Sequence, residues 1–157
     1  MSSPNPFPEQ FADRLAIREL VDAYAHLADR RDAQGQAALF TEDAHVAVYD
    51  GEPDGEPGAE PAQTLNGRDE LAAAFGSLRN YDKTTHFNGQ STVTVDGDRA
   101  TGETYCLAHH LWTEEGQRTL MVMSIRYHDA FVRQDGRWLF AERRLIVDWV
   151  DRRPSTA

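Results

Sequence analysis

Residues Leu120 to Val150 read LMVMSIRYHDAFVRQDGRWLFAERRLIVDWV. Two long runs, Leu120–Gln134 and Arg137–Val150, alternate in character and are rich in valine and aromatic residues, the mark of β-strands. Between them Gln134-Asp135-Gly136 supplies the Asp-Gly pair that closes a tight hairpin. Towards the N-terminus, Ala100–Trp112 and Ser91–Val95 alternate in the same way, set off by the turn signals Glu114-Glu115-Gly116 and Asp96-Gly97-Asp98. The chain therefore closes in a meander of long strands. Strands of about thirteen residues seldom stay flat, so this sheet should coil and enclose a pocket.

The period changes upstream. After an extended lead-in, Pro4 to Pro8, the apolar positions Phe11, Leu15, Leu20, Val21, Tyr24, Leu27 and Ala28 recur at helical steps and predict an amphipathic helix from Glu9 to about Arg31. Asp32 is placed to cap a short second helix whose buried side is Ala37, Ala38, Leu39 and Phe40. His45–Tyr49 reads as a strand. Residues 50–62 are broken by Gly51, Pro53, Gly55, Pro57, Gly58 and Pro61 and read as a flexible acidic surface loop. Asn66 is the expected cap of a third helix, Arg68 to about Leu78, with Leu71, Ala74, Phe75 and Leu78 inward. Helices first and strands afterwards is an α+β pattern, with the helices packed on one face of a strongly bent sheet.

The 157 residues (17.7 kDa) suit a single domain, with a core over about 9–150, able to bury roughly two-thirds of its unfolded surface without metal or disulfides. A net charge of −10 repels phosphate backbones and anionic lipid, so no nucleic acid or membrane partner is expected. Asp50, Glu52, Asp54, Glu56 and Glu60 concentrate much of that charge in the loop. No apolar run approaches the ~20 residues of a membrane span. Met1 to Pro6 lacks the features of a signal peptide, and the lone Cys106 cannot form an internal disulfide. These features point to a cytoplasmic protein.

Three residues are candidates for chemistry: Asp29, His86 and His110. Asp29 falls near a helix C-terminus, where the macrodipole disfavours a carboxylate, so it is either a solvated helix-end residue or a buried group with a compensating partner. His86, in Thr85-His86-Phe87-Asn88-Gly89, lies where helix gives way to sheet. His109 and His110 are adjacent in a strand and must point to opposite faces, and periodicity does not choose between them. Two histidines and an aspartate could form the facial set of a non-haem iron site, but no His-x-Asp/Glu or His-x-x-x-His spacing accompanies them. Cys106 has no cation nearby in sequence, and neither a Gly-x-Ser-x-Gly elbow nor a phosphate-cradling glycine loop occurs.

The strings Ala16-Ile17-Arg18-Glu19-Leu20-Val21-Asp22-Ala23-Tyr24-Ala25, Ala28-Asp29-Arg30-Arg31-Asp32 and Ala38-Leu39-Phe40-Thr41-Glu42-Asp43-Ala44 resemble the opening of SnoaL-like proteins of the nuclear transport factor 2-like superfamily. Asp135 to Arg143 is similar to that group's final hairpin. The resemblance spans about residues 9–150 and implies a cone-shaped α+β barrel, three N-terminal helices in a strongly curved mixed β-sheet around an apolar cavity. Within the superfamily the scytalone dehydratase pattern matches Asp29 at the end of the first helix, and His86 in a His-Phe-x-Gly string. Its second histidine falls most naturally on His110. The dehydratase tyrosines are not reproduced: Ala28 precedes the aspartate, and the strand tyrosine lands near Val48, or on Tyr49 with a one-residue shift.

The resemblance implies a lyase or isomerase without a cofactor or metal: a dehydratase, HX eliminase, double-bond isomerase or cyclase. Asp29, His86 and His110 would serve acid–base chemistry on a small hydrophobic ring-containing carbonyl compound. Tyr24, Tyr49, Phe75, Trp112, Met123 and Trp149 are candidate wall residues, although side chains of this kind at such positions usually just pack as core. The alternatives are a non-catalytic ligand-binding or assembly module and, third, a metal-dependent oxygenase. A homodimer or higher homo-oligomer through the outer sheet face is expected with each.

Overall fold

The computed structural model describes residues 7–51 and 59–156. The lead-in and leader readings at Met1 to Pro6, and the loop reading over 52–58, fall outside the described residues.

Helix α1 runs Phe7–Asp29, so it begins two residues before the expected Glu9. Pro8 lies in its first turn, where the missing N–H would have had no helical partner. The buried face is Ile17, Leu20, Val21, Tyr24, Ala25 and Ala28, whereas Phe11 and Leu15, expected in the stripe, are exposed. Leu15 lies nine residues before Tyr24, half a turn round the helix at 3.6 residues per turn.

Helix α2 is only Ala33–Ala37, capped as expected by Asp32, whose Oδ1 accepts from Gly35 N at 2.8 Å. Phe40 belongs not to this helix but to strand β1, Phe40–Asp50, because its ring stacks on Phe140 at 4.9 Å and the two residues pair across the sheet. A short strand β2, Gln63–Asn66, pairs with β1 where the sequence pattern shows no strand. Helix α3, Gly67–Phe75, stops earlier than Leu78 and continues as a 3₁₀ turn, Gly76–Asn80. Asn66 does not cap it with its side chain. Its backbone N–H instead donates to Glu70 Oε2 at 2.7 Å, while its side chain meets His45 Nδ1.

Four long strands complete the chain: β3 Lys83–Asp96, β4 Arg99–Glu114, β5 Gln117–Gln134 and β6 Arg137–Pro154. The order β2-β1-β6-β5-β4-β3 makes one curled, unclosed six-stranded sheet. It is mixed, since β1 runs parallel to β6 and every other pairing is antiparallel. The β4–β5 and β5–β6 turns place Glu115, Gly116, Asp135 and Gly136 all at positive φ, the backbone that matches strand twist in two-residue hairpins.

Alternation assigns the faces. Thr84, His86 and Asn88 of β3, Thr104 to His110 at even positions of β4, and Met121 to Phe131 at odd positions of β5 look towards the helices. The cone's centre is filled by rings: Tyr24 meets Phe40, Phe75, Tyr127 and Phe140, each at 5.6–6.0 Å and edge-on.

Candidate active site

Asp29 is the last residue of α1, and β3 passes directly beside it. Its Oδ1 lies 2.8 Å from His86 Nδ1 and accepts the Thr84 hydroxyl at 2.9 Å; its Oδ2 accepts the His86 backbone N–H at 2.9 Å. Partial burial works to raise the carboxyl pKa. The bonds from the His86 ring, the His86 backbone and Thr84 outweigh it and hold the group below its ordinary value. The compensation demanded by a carboxylate at a helix C-terminus is thus provided by β3. His86 lies in strand β3 rather than at its entrance, and its side chain is 8% exposed.

His110 comes from the neighbouring strand β4 on the same face. Its ring meets that of His86 edge-on at 5.6 Å and that of Tyr81 at 4.6 Å. Burial, then the charge of His86, lowers its pKa to about 4, so the ring is neutral at ordinary pH. Its Nδ1 is buried without a well-formed hydrogen bond. His109 points outward and approaches the Thr85 carbonyl at 3.3 Å.

The six expected wall residues separate. Tyr24 is at the centre of the core, and Phe75 and Met123 pack on its margin. Trp112 meets Tyr81 edge-on at 5.8 Å, beside His110. Tyr49 and Trp149 lie on the other face: Tyr49 follows the inward Val48 and sits under Arg144, and Trp149 pairs with the outward Ser124 and is 52% exposed. A hollow of about 410 Å³ over Thr92, Thr101, Glu103, His128 and Glu142, and an apolar one of about 280 Å³ over Phe87, Tyr105 and Leu107, both open on the outer sheet face.

The family model for the SnoaL-like domain matches residues 9–144. The chain belongs to the SnoaL-like domain family. Solved structures share its fold. A nuclear transport factor 2-like protein with a cystatin-like fold from Novosphingobium aromaticivorans is 29% identical with TM-score 0.66, over 88% of this chain and 84% of that one. A protein of the same organism assigned provisionally to the scytalone dehydratases is 24% identical (TM-score 0.73, 90% and 88% covered). The hexachlorocyclohexane dehydrochlorinase LinA-type3 of Novosphingobium barchaimii is 19% identical (TM-score 0.73, 94% and 93% covered).

This SnoaL-like domain also holds polar groups that sequence reasoning misses. Arg143 and Asp129 form an ion pair with fully buried side chains, Nε to Oδ1 2.7 Å and Nη2 to Oδ2 2.9 Å. The guanidinium carbon lies 4.2 Å from the Tyr24 ring centroid and 3.9 Å from that of Tyr127. Asp129 falls in phase with Ile125, Tyr127 and Phe131, and a charge in an apolar phase is the available signal. Cys106 is enclosed nearby, and burial pushes its thiol pKa up to about 11. Thr84 and Arg31 complete the surroundings of Asp29: Arg31 Nη1 donates to Thr84 Oγ1 at 2.6 Å. Nothing in the local sequence of either announces that role. Among the described residues no three His, Cys, Asp or Glu side chains converge as a metal set, and no helix is long and apolar enough to cross a membrane.

Proposed function

We propose that this SnoaL-like domain is a lyase or isomerase that uses no cofactor and moves a proton on a small, hydrophobic, ring-containing carbonyl compound. The observation that carries this reading is the 2.8 Å contact between His86 Nδ1 and Asp29 Oδ1. An ionised carboxylate only accepts, so Nδ1 holds the hydrogen and the neutral ring keeps its lone pair on Nε2. That nitrogen can remove a proton alpha to a carbonyl, while Asp29 stabilises the imidazolium that forms.

The electron pair released at the alpha carbon moves to the carbonyl oxygen as an enolate. It then returns to expel a hydroxide or halide from the beta carbon, or to take up a proton elsewhere on the substrate. His86 gives its proton to the leaving group or to the new position, and the ring is neutral again. His110, kept neutral by burial, suits a donor to the enolate oxygen better than a proton store. A positioned base of this kind contributes typically ~10²–10⁴-fold.

The test is turnover of a panel of cyclic β-hydroxy and β-halo ketones by wild type and His86→Ala. We expect the variant to be folded, by circular dichroism, and inactive. A folded and active His86→Ala protein would end this reading.

A second reading, a non-catalytic assembly module, draws support from the ring-filled centre around Tyr24. Melting temperatures with aromatic and terpenoid ligands separate the two, since a plugged cone shifts with none of them. For either, we propose that a second copy covers the outer sheet face. Phe87, Leu107, Ser124 and Trp149 stand in one row across β3 to β6, and Tyr105 adjoins them. Phe87, Tyr105, Leu107 and Trp149 are all exposed there, and contiguous exposed apolar side chains of this size mark interaction surfaces.

A further inference from the structure

Helix α1 ends in a hydrogen-bond pattern that ordinarily carries glycine. Asp32 N donates to Leu27 O at 3.0 Å and Arg31 N to Ala28 O at 3.1 Å, the six-to-one and five-to-two pair of a Schellman termination. The residue at its left-handed position is Arg31, with φ 63°. An L side chain there is disfavoured by contact between its Cβ and the backbone, and glycine would be relaxed. Backbone strain held by the surrounding structure is a reason to ask what the side chain does.

The guanidinium is spread over three acceptors: Thr84 Oγ1 at 2.6 Å, Tyr81 O at 3.2 Å and Ala28 O at 3.4 Å. The first is the informative one. An arginine can only donate, so Thr84 Oγ1 must receive that bond on a lone pair. The single hydroxyl proton of Thr84 is then left for another acceptor, and Asp29 Oδ1 stands 2.9 Å away. The same Oδ1 faces His86 Nδ1.

We propose that Arg31 and Thr84 are positioning residues: Arg31 aims the Thr84 hydroxyl at Asp29, and the aimed hydroxyl holds the carboxylate in the orientation that grips His86. Neither touches the reacting atoms. The left-handed backbone at residue 31 is what swings the arginine back over the end of its own helix to reach β3. The inference rests on the acid–base reading of this site, but it is read out in the protein without substrate.

The experiment is ¹³C NMR titration of the Asp29 carboxyl in wild type, Arg31→Gly, Thr84→Val, the double variant and Thr84→Ser. Glycine at 31 relieves the backbone strain while removing the guanidinium, and valine is nearly isosteric with threonine, so both variants should fold. The other titratable groups around Asp29, namely His86, His110 and Cys106, are unchanged in every variant. We expect Arg31→Gly and Thr84→Val to raise the Asp29 midpoint by similar amounts, the double variant to add nothing further, and Thr84→Ser to restore the wild-type value. Additive shifts would mean that Arg31 acts on Asp29 by charge alone and would overturn the relay. So would an Arg31→Gly midpoint equal to wild type. Either of those results beside an inactive His86→Ala protein defeats the relay and leaves the acid–base reading standing. An intact relay beside an active His86→Ala protein does the reverse.

Discussion

The Arg143 guanidinium grips the Asp129 carboxylate with two parallel bonds, 2.7 and 2.9 Å, and neither side chain has any exposed surface. Burial pushes the Asp129 carboxyl up; on Arg143 burial works against the charge, but Asp129 beside it more than compensates, and it stays a cation. A buried pair is dangerous to break, because the survivor keeps its desolvation penalty without its partner. We expect Asp129→Ala to destabilise the fold by about 3–5 kcal/mol in urea unfolding. Adding Arg143→Met should recover most of that loss. A single variant with near wild-type stability would show that water reaches Arg143.

Acid should weaken the fold through His110. Its folded-state value of about 4 lies below the ordinary 6.5, so folding favours the neutral ring. That contribution is complete above pH 6.5 and is lost as the pH falls towards 4. It amounts to something on the order of 2–3 kcal/mol. Asp29, lowered as well, keeps its contribution until the pH drops through the ordinary carboxylate range. Urea midpoints measured between neutral pH and about pH 5 should fall in wild type and stay nearly level in His110→Gln. Parallel curves for the two proteins would refute this.

Cys106 should be inert. A thiol that burial pushes up to about 11, with the Tyr127 bond and the Arg143 charge lowering it only in part, carries little thiolate at neutral pH. Ellman's reagent should react with it only after unfolding. Rapid labelling of the native protein would mean that the core around Tyr24 opens.

The outer face can be tested by sedimentation. Phe87 is 68% exposed, and Leu107→Arg would put an unpaired charge at the middle of its row. We expect wild type to sediment as a dimer and Leu107→Arg as a monomer with an unchanged circular dichroism spectrum. A monomeric wild type would remove the proposed interface.

Strand β5 is legible in the sequence because its inward Met121, Met123, Ile125, Tyr127 and Phe131 are apolar and are separated by polar residues such as Ser124, Arg126 and His128, a contrast that survives in the order of residues. Strand β3 is legible only over Ser91–Val95, for the opposite reason. Its inward residues Thr84, His86 and Asn88 are polar, so alternation vanishes where the candidate chemistry lies. The ring stack with Phe140 that draws Phe40 out of α2 joins segments far apart in the chain. The phase that turns Tyr49 and Trp149 outward is likewise a matter of strand register.

What the residue order determined alone was a helix-then-meander chain, its hairpin turns, and three side chains worth watching. Periodicity is a local property, and the burial it encodes needs no knowledge of the partner. Which of two adjacent histidines looks inward, that Asp29 reaches His86 across 57 residues, and that Arg31 bends back over its helix end were decided by the tertiary structure. Those relations depend on strand register and on one left-handed backbone angle. Register is set by packing between distant segments, the angle is closed by backbone bonds at the helix end while its side chain reaches β3, and neither leaves a trace in neighbouring letters.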